Sequence, residues 1–171
     1  MSLGAHYLET AIRDFRKLKN LGEGALAQVA DDHLHVSLDP ESNSLAILVR
    51  HLAGNMLSRW TDFLTTDGEK PRRNRDSEFE GGAAGRSELL ALWEQGWSCL
   101  FATLVALRPD ELELRVRIRG EELSALEAID RQMSHYGQHV GQIVFLAKHL
   151  SGDRWRSLSI PRGRSDGWRS R

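Results

Sequence analysis

Apolar residues recur along this chain at intervals of three and four in four separate stretches, the spacing that places them on one face of an α-helix. In the first stretch, Ala5 to about Ala30, they fall at Leu8, Ile12, Phe15, Leu18 and Leu21 and resume at Ala25, Leu26 and Val29. Gly22 and Gly24 interrupt it, each costing about 1 kcal/mol of helix propensity relative to Ala. They could mark a bend, but the apolar phase carries through them, so one long helix is predicted. The second stretch, Ser42 to Leu64, has Leu45, Leu48, Leu52, Met56, Trp60 and Phe63 on its core face. The third starts at Ser87, a residue suited to an N-cap, and runs through Leu89, Trp93, Trp97 and Leu100 to Leu104, with Arg108-Pro109 as its stop. The fourth opens with Ser124 and Glu127 in capping-box spacing. It continues through Ile129, Met133, Tyr136, Val140, Ile143 and Ala147 to Leu150, and Gly152 is placed to end it.

Between the third and fourth stretches the period changes. Leu112, Leu114, Val116 and Ile118 alternate with Glu113, Arg115, Arg117 and Arg119. That alternation predicts one short extended segment with its apolar side inward and its arginines in solvent, closed by Gly120. Residues 68–86 follow the turn signal Asp67-Gly68 and hold Arg72, Arg73, Arg75 and Gly81-Gly82. Loops of this length often serve as lids or binding loops, and the arginines could hold an anion, but the composition favours a solvated connection. The tail, Asp153 to Arg171, is too polar for a core element, yet Trp155 and Trp168 need somewhere to dock. Four amphipathic helices and one long crossing connection predict an all-α fold: a four-helix bundle with a short extended segment before the last helix. The size prior makes residues 1–171 a single domain.

Composition narrows the class only a little. Hydrophobic content of 40% and charged content of 27% are those of a soluble globular protein. A formal net charge of −1 argues against a dedicated nucleic-acid binder. No signal peptide precedes the first helix, and no apolar run is expected to approach the ~18–20 residues of a membrane span, which predicts a cytoplasmic protein without membrane contacts. The single cysteine, Cys99, has no partner for a disulfide. Lying between Trp97 and Leu100, it reads as an inert buried thiol, with a catalytic thiol as the alternative.

The histidines carry more. His135 and His139 stand four apart on the fourth helix, which stacks their rings on one face. His51 lies beside the core face of the second helix, and helices two and four can face each other in a bundle. Three neutral imidazoles on two packed helices suit a divalent transition metal and leave at least one coordination position open. The same residues also read as hydrogen-bonded core histidines, and spacing does not separate the two. Asn55, Gln138 and Gln142 are near enough to orient the rings through their second nitrogens. His6, His33, His35 and His149 read as surface residues. Other chemistries lack their motifs: there is no Gly-x-Ser-x-Gly elbow, no phosphate-binding glycine loop and no Cys-x2-Cys. The metalloprotease helix His-Glu-x-x-His shares the histidine spacing, but Tyr136 occupies the place of its glutamate.

At these residues the sequence resembles the DinB-like (YfiT-related) superfamily, and within it a branch of small bacterial proteins without an assigned function. The resemblance rests on Asn43-Ser44, Arg50-His51-Leu52-Ala53-Gly54-Asn55-Met56 with Ser58-Arg59, and Asp67-Gly68-Glu69-Lys70. It continues in Arg75-Asp76, Glu78-Phe79, Ile118-Arg119-Gly120-Glu121, His135-Tyr136, His139-Val140-Gly141-Gln142-Ile143, and Trp155 with Leu158-Ser159-Ile160-Pro161. It implies an up-down-down-up bundle, often a homodimer, with a nickel or zinc ion on His51, His135 and His139; iron and manganese are further options. Relatives include S-transferases and an isomerase that use low-molecular-weight thiols. A metal-dependent thiol S-transferase acting on a small molecule is therefore the leading expectation. Metal-assisted hydrolysis, a non-catalytic metal or small-ligand carrier in stress response, and a structural dimer with packed histidines stand beside it.

Overall fold

The computed structural model describes residues 1–164. Four helices dominate it: α1 (Leu3–Leu26), α2 (Leu45–Trp60), α3 (Arg86–Ala106) and α4 (Ala125–Ser151). Two short strands, β1 (Arg115–Ile118) and β2 (Glu121–Ser124), lie between α3 and α4. The fold is thus broadly all-α with one small sheet.

Helix ends follow local chemistry. Ser2, Ser44 and Ser124 each accept a backbone N–H with the side-chain oxygen at the start of α1, α2 and α4. The capping box of α4 forms: Ser124 Oγ accepts from the Glu127 N–H at 3.1 Å, and Glu127 Oε2 accepts from the Ser124 N–H at 2.7 Å. Other boundaries move from the periodicity. α1 stops at Leu26 instead of Ala30, and α3 begins at Arg86, ahead of Ser87. One side chain serves both ends, because the Arg86 guanidinium donates to the carbonyls of Leu26 and Val29, satisfying acceptors that a helix C-terminus leaves open. α2 begins at Leu45 after its cap and ends at Trp60, short of Leu64. Thr61 is extended and Asp62 is left-handed at φ 49°, while Thr103 Oγ1 donates to the Trp60 carbonyl at 2.8 Å.

α1 packs along α4 and α2 along α3, and one apolar cluster draws on all four helices. Phe15, without exposed surface, stands at its centre, edge-on to Trp60 and Trp97 and tilted against Tyr136 with ring centroids 5.9–6.3 Å away. Such edge contacts add to the burial itself. α1 runs through Gly22 without ending there. The residue is a contact point: a Cβ at position 22 would lie 2.7 Å from the indole ring of buried Trp93. Gly24 similarly receives Leu158 of the tail, and Trp155 is half-buried against the core, so this tryptophan docks as anticipated. Trp168 lies outside the described residues.

The predicted lone extended segment is a hairpin instead. β1 pairs antiparallel with β2, Arg115 opposite Ser124 and Ile118 opposite Glu121. Arg119 and Gly120, at φ 56° and 77°, form the turn, the left-handed pair that two-residue hairpins favour. Val116 and Ile118 point into the core, but Leu112 belongs to a 3-10 turn and Leu114 is exposed. β2 has no alternation of its own to betray it, since Glu121-Glu122-Leu123-Ser124 is almost wholly polar.

The expectation about membrane-length segments also needs correction. α3 is 21 residues long with a mean hydropathy of 1.3 over an 18-residue window, long and apolar enough by length and composition to cross a membrane. Leu89, Trp93, Trp97, Leu100 and Leu104 enter the core, whereas Leu90 and Val105 on the same helix are exposed.

The Gly22 contact is testable. Gly22→Ala drives a methyl group into an indole that has no room to withdraw, and should cost about 1–3 kcal/mol. Gly141→Ala, where an added Cβ meets nothing within 4 Å, should be neutral or stabilising by up to about 1 kcal/mol. Urea denaturation midpoints of the two variants against the parent check both.

Candidate metal centre

His51 projects from the middle of α2, and His135 and His139 from successive turns of α4. The packing of these helices brings the three rings together as the sequence predicts. His51 is buried and the other two are half-buried. Their Nε2 atoms converge: His135 Nε2 lies 3.3 Å from His51 Nε2 and 3.1 Å from His139 Nε2. The three rings offer donor atoms all within 4.8 Å of one another.

Two rings are oriented from behind. Glu78 Oε2 lies 2.9 Å from His51 Nδ1. A carboxylate can only accept, so this nitrogen carries the proton and Nε2 keeps its lone pair. Gln142 Oε1, 2.7 Å from His139 Nδ1, fixes the same tautomer there. Two lone pairs therefore point at His135 Nε2, whose ring has no partner at Nδ1 among the described residues. Two nitrogens held about 2.05 Å from one tetrahedral ion stand about 3.3 Å apart. The two close His135 spacings match that edge, and the donor type and tautomers suit a divalent transition ion.

Glu78 is itself held in place. It is buried, and Arg73 grips it with a two-pronged bond, Nε to Oε1 at 2.7 Å and Nη2 to Oε2 at 2.8 Å. Burial pushes the carboxyl pKa up, but the hydrogen bonds from His51 and Arg73 outweigh it and hold Glu78 below the usual glutamate range. Both residues come from the 68–86 loop, which composition had assigned to solvent. The loop is tied down instead. Asp67 accepts the backbone N–H groups of Glu69, Arg119 and Gly120, and Glu69 bridges Arg59, Arg73 and Arg119. Phe79 then lies over His51 with ring centroids 4.9 Å apart.

Of the predicted orienting residues, Gln142 takes that role. Asn55 instead accepts the Tyr136 hydroxyl at 3.0 Å, and Gln138 bonds to none of the three histidines. Glu78 and Arg73 were missed as site residues, because a polar loop carries no periodicity that reveals which carboxylate folds inward. Arg119 is exposed, as expected for it together with Arg115 and Arg117, and its side chain also pairs with Glu69. His6, His35 and His149 are exposed and His33 is half-buried, all outside the cluster. Cys99 is half-buried and does not line the histidine cleft.

That cleft has a volume of about 410 Å³. Among the described residues five arginines, Arg59, Arg73, Arg75, Arg119 and Arg131, line it beside the histidines, and no carboxylate does. Helical proteins with three convergent imidazoles drawn from two helices, open to a cleft, form the class to which this architecture points. The chain belongs to a family described as a protein of unknown function, DUF1572, which it matches over residues 2–164. No curated protein matches the sequence.

The half-buried imidazoles should make the metal-free protein sensitive to acid. Burial, then the neighbouring His139 and His51, pushes His135 down from 6.5 to about 3, and burial also lowers His139. The unfolded chain therefore takes up these protons first. Stability should fall progressively as pH drops from 6.5 toward about 3, with no loss from this source above 6.5. Denaturation midpoints of metal-free protein between pH 7.5 and 5 should fall more steeply for the parent than for His135→Asn.

Proposed function

We propose that His51, His135 and His139 hold one divalent transition ion, nickel or zinc before iron or manganese, and that the protein is a metal-dependent enzyme. The observation that carries this reading is the convergence of three Nε2 atoms, two with lone pairs directed inward by Glu78 and Gln142. A structural zinc site is closed by four protein ligands, whereas a catalytic one keeps a position for water or substrate. Among the described residues only three candidate donors meet, and the cleft opens beside them.

When bound, such an ion supplies Lewis acidity and lowers the pKa of a thiol or water that reaches it. This chain's residues do the remaining work. Glu78 and Gln142 fix the rings, the bonds from His51 and Arg73 hold Glu78 ionised and in place, and Phe79 covers one side of His51. The DinB-like resemblance favours transfer of a low-molecular-weight thiol to a small electrophile, in an up-down-down-up bundle that folds as a single domain and pairs as a homodimer. Hydrolysis is the second reading, favoured by the same open position.

Metal content of purified protein tests the site. We expect about one equivalent per chain in the parent and little in His51→Ala or His139→Ala. No binding by the parent after addition of Ni²⁺ or Zn²⁺ would return the histidines to a packing role. Glu78→Gln, which loses the charge but keeps the shape, should weaken metal affinity by about 10–100-fold, measured by competition with a chromogenic chelator. If the bound metal serves thiol transfer, turnover of thiol and electrophile should disappear in His135→Ala.

A further inference from the structure

The charge arrangement of the histidine cleft identifies the kind of molecule it takes. Of its five arginines, Arg59 and Arg73 are buried and committed to the loop, through Glu69 and Glu78. Arg119 spends its Nε on Glu69. Arg75 and Arg131 are different. The Arg75 guanidinium makes no hydrogen bond among the described residues. Its nearest carboxylate is that of Asp76, 3.9 Å away and 95% exposed. It is nevertheless held in position, its Cζ 4.8 Å from the centre of the Phe79 ring that covers His51. Stacking on an aromatic face leaves the planar edge and its donors free. Arg131 uses only Nη1, on exposed Glu121 at 2.7 Å.

A second observation points to a ligand. Gln132, one turn before His135 on α4 and 4% exposed, lines the same cleft, yet its side-chain oxygen has no partner among the described residues. A buried amide without a hydrogen bond is costly, and native proteins rarely tolerate one unless water, an ion or a ligand completes it.

We propose that the cleft binds a small organic anion carrying carboxylate or phosphate groups, with Arg75 and Arg131 gripping the anionic groups and the remainder of the molecule lying between Gln132 and the histidines. This deepens the metal-enzyme reading and rests on it for the link to chemistry, although the arginines themselves are independent of the histidine donors. Guanidinium forks match both anions. Among the described residues the cleft wall carries arginines and no carboxylate, a charge balance that favours an organic anion over an organic cation.

The test is binding calorimetry at constant ionic strength on metal-loaded and metal-free protein, with succinate, inorganic phosphate and the uncharged analogue succinamide as probes. We expect succinate or phosphate to bind and succinamide not to. The tighter of the two anions names the class. Arg75→Ala and Arg131→Ala should each weaken binding by about tenfold or more while retaining the parent's metal content, and Arg75→Lys should restore only part of the loss. Arginine-dependent binding by protein that takes up no metal would support the anion site and remove the metal reading. Equal binding of succinamide, no binding of either anion, or unchanged affinity in both alanine variants would overturn the proposal. Both arginines are at the surface, so loss of folding does not confuse the result.

Discussion

The contact on which the site depends is the hydrogen bond between Glu78 and His51. It joins a loop without regular periodicity to the middle of a core helix, and it sets which nitrogen of His51 faces the other two rings. The carboxylate sits against α2 at Gly54, where no Cβ stands in its way. Arg73 then compensates its charge. The hydrogen bonds from His51 and Arg73 together outweigh the burial that would raise the carboxyl pKa, so ring and guanidinium both hold the carboxylate in its ionised form. The loop is therefore part of the site's wall and of its electrostatics.

The rest of the fold serves that arrangement at a distance. The Arg119-Gly120 turn offers two backbone N–H groups to Asp67, which positions the start of the loop. Glu69 gathers three arginines beside it. The hairpin, although only four residues on each strand, thus connects the entrance of α4 to the loop that covers α2. The central aromatic group around Phe15 holds Trp60 and Tyr136, and Tyr136 follows His135 directly in sequence. Core packing and imidazole placement on α4 are consequently one problem.

Much of this was legible in the sequence because it depends on period. A three- and four-residue apolar rhythm located four helices, and the same rhythm placed His135 and His139 on one face. Capping chemistry gave the start of α4 to the residue. Elsewhere long-range contacts decided the outcome. The ends of α1 and α3 were set by Arg86 reaching across nearly sixty residues of chain, which no local propensity encodes. β2 took strand geometry from its partner. Glu78 has no periodicity to single it out, since one acidic residue in a polar loop looks like its neighbours until the loop is docked. The apolarity of α3, which sequence reading underestimated, comes from apolar residues on more than its core face, with Leu90 and Val105 exposed beside the buried leucines.

The histidine cluster also has a topological consequence. His51 and His135 are 84 residues apart along the chain, and α3 with the hairpin lies entirely between them. An ion shared by these two residues would act as a removable cross-link, closing that length of polypeptide into a ring. On the chain-entropy account, a permanent link around a ring of this size restricts the denatured ensemble by about 4–5 kcal/mol. The same coordination chemistry that could activate a substrate would thus also work as a reversible staple, with its strength governed by the supply of metal.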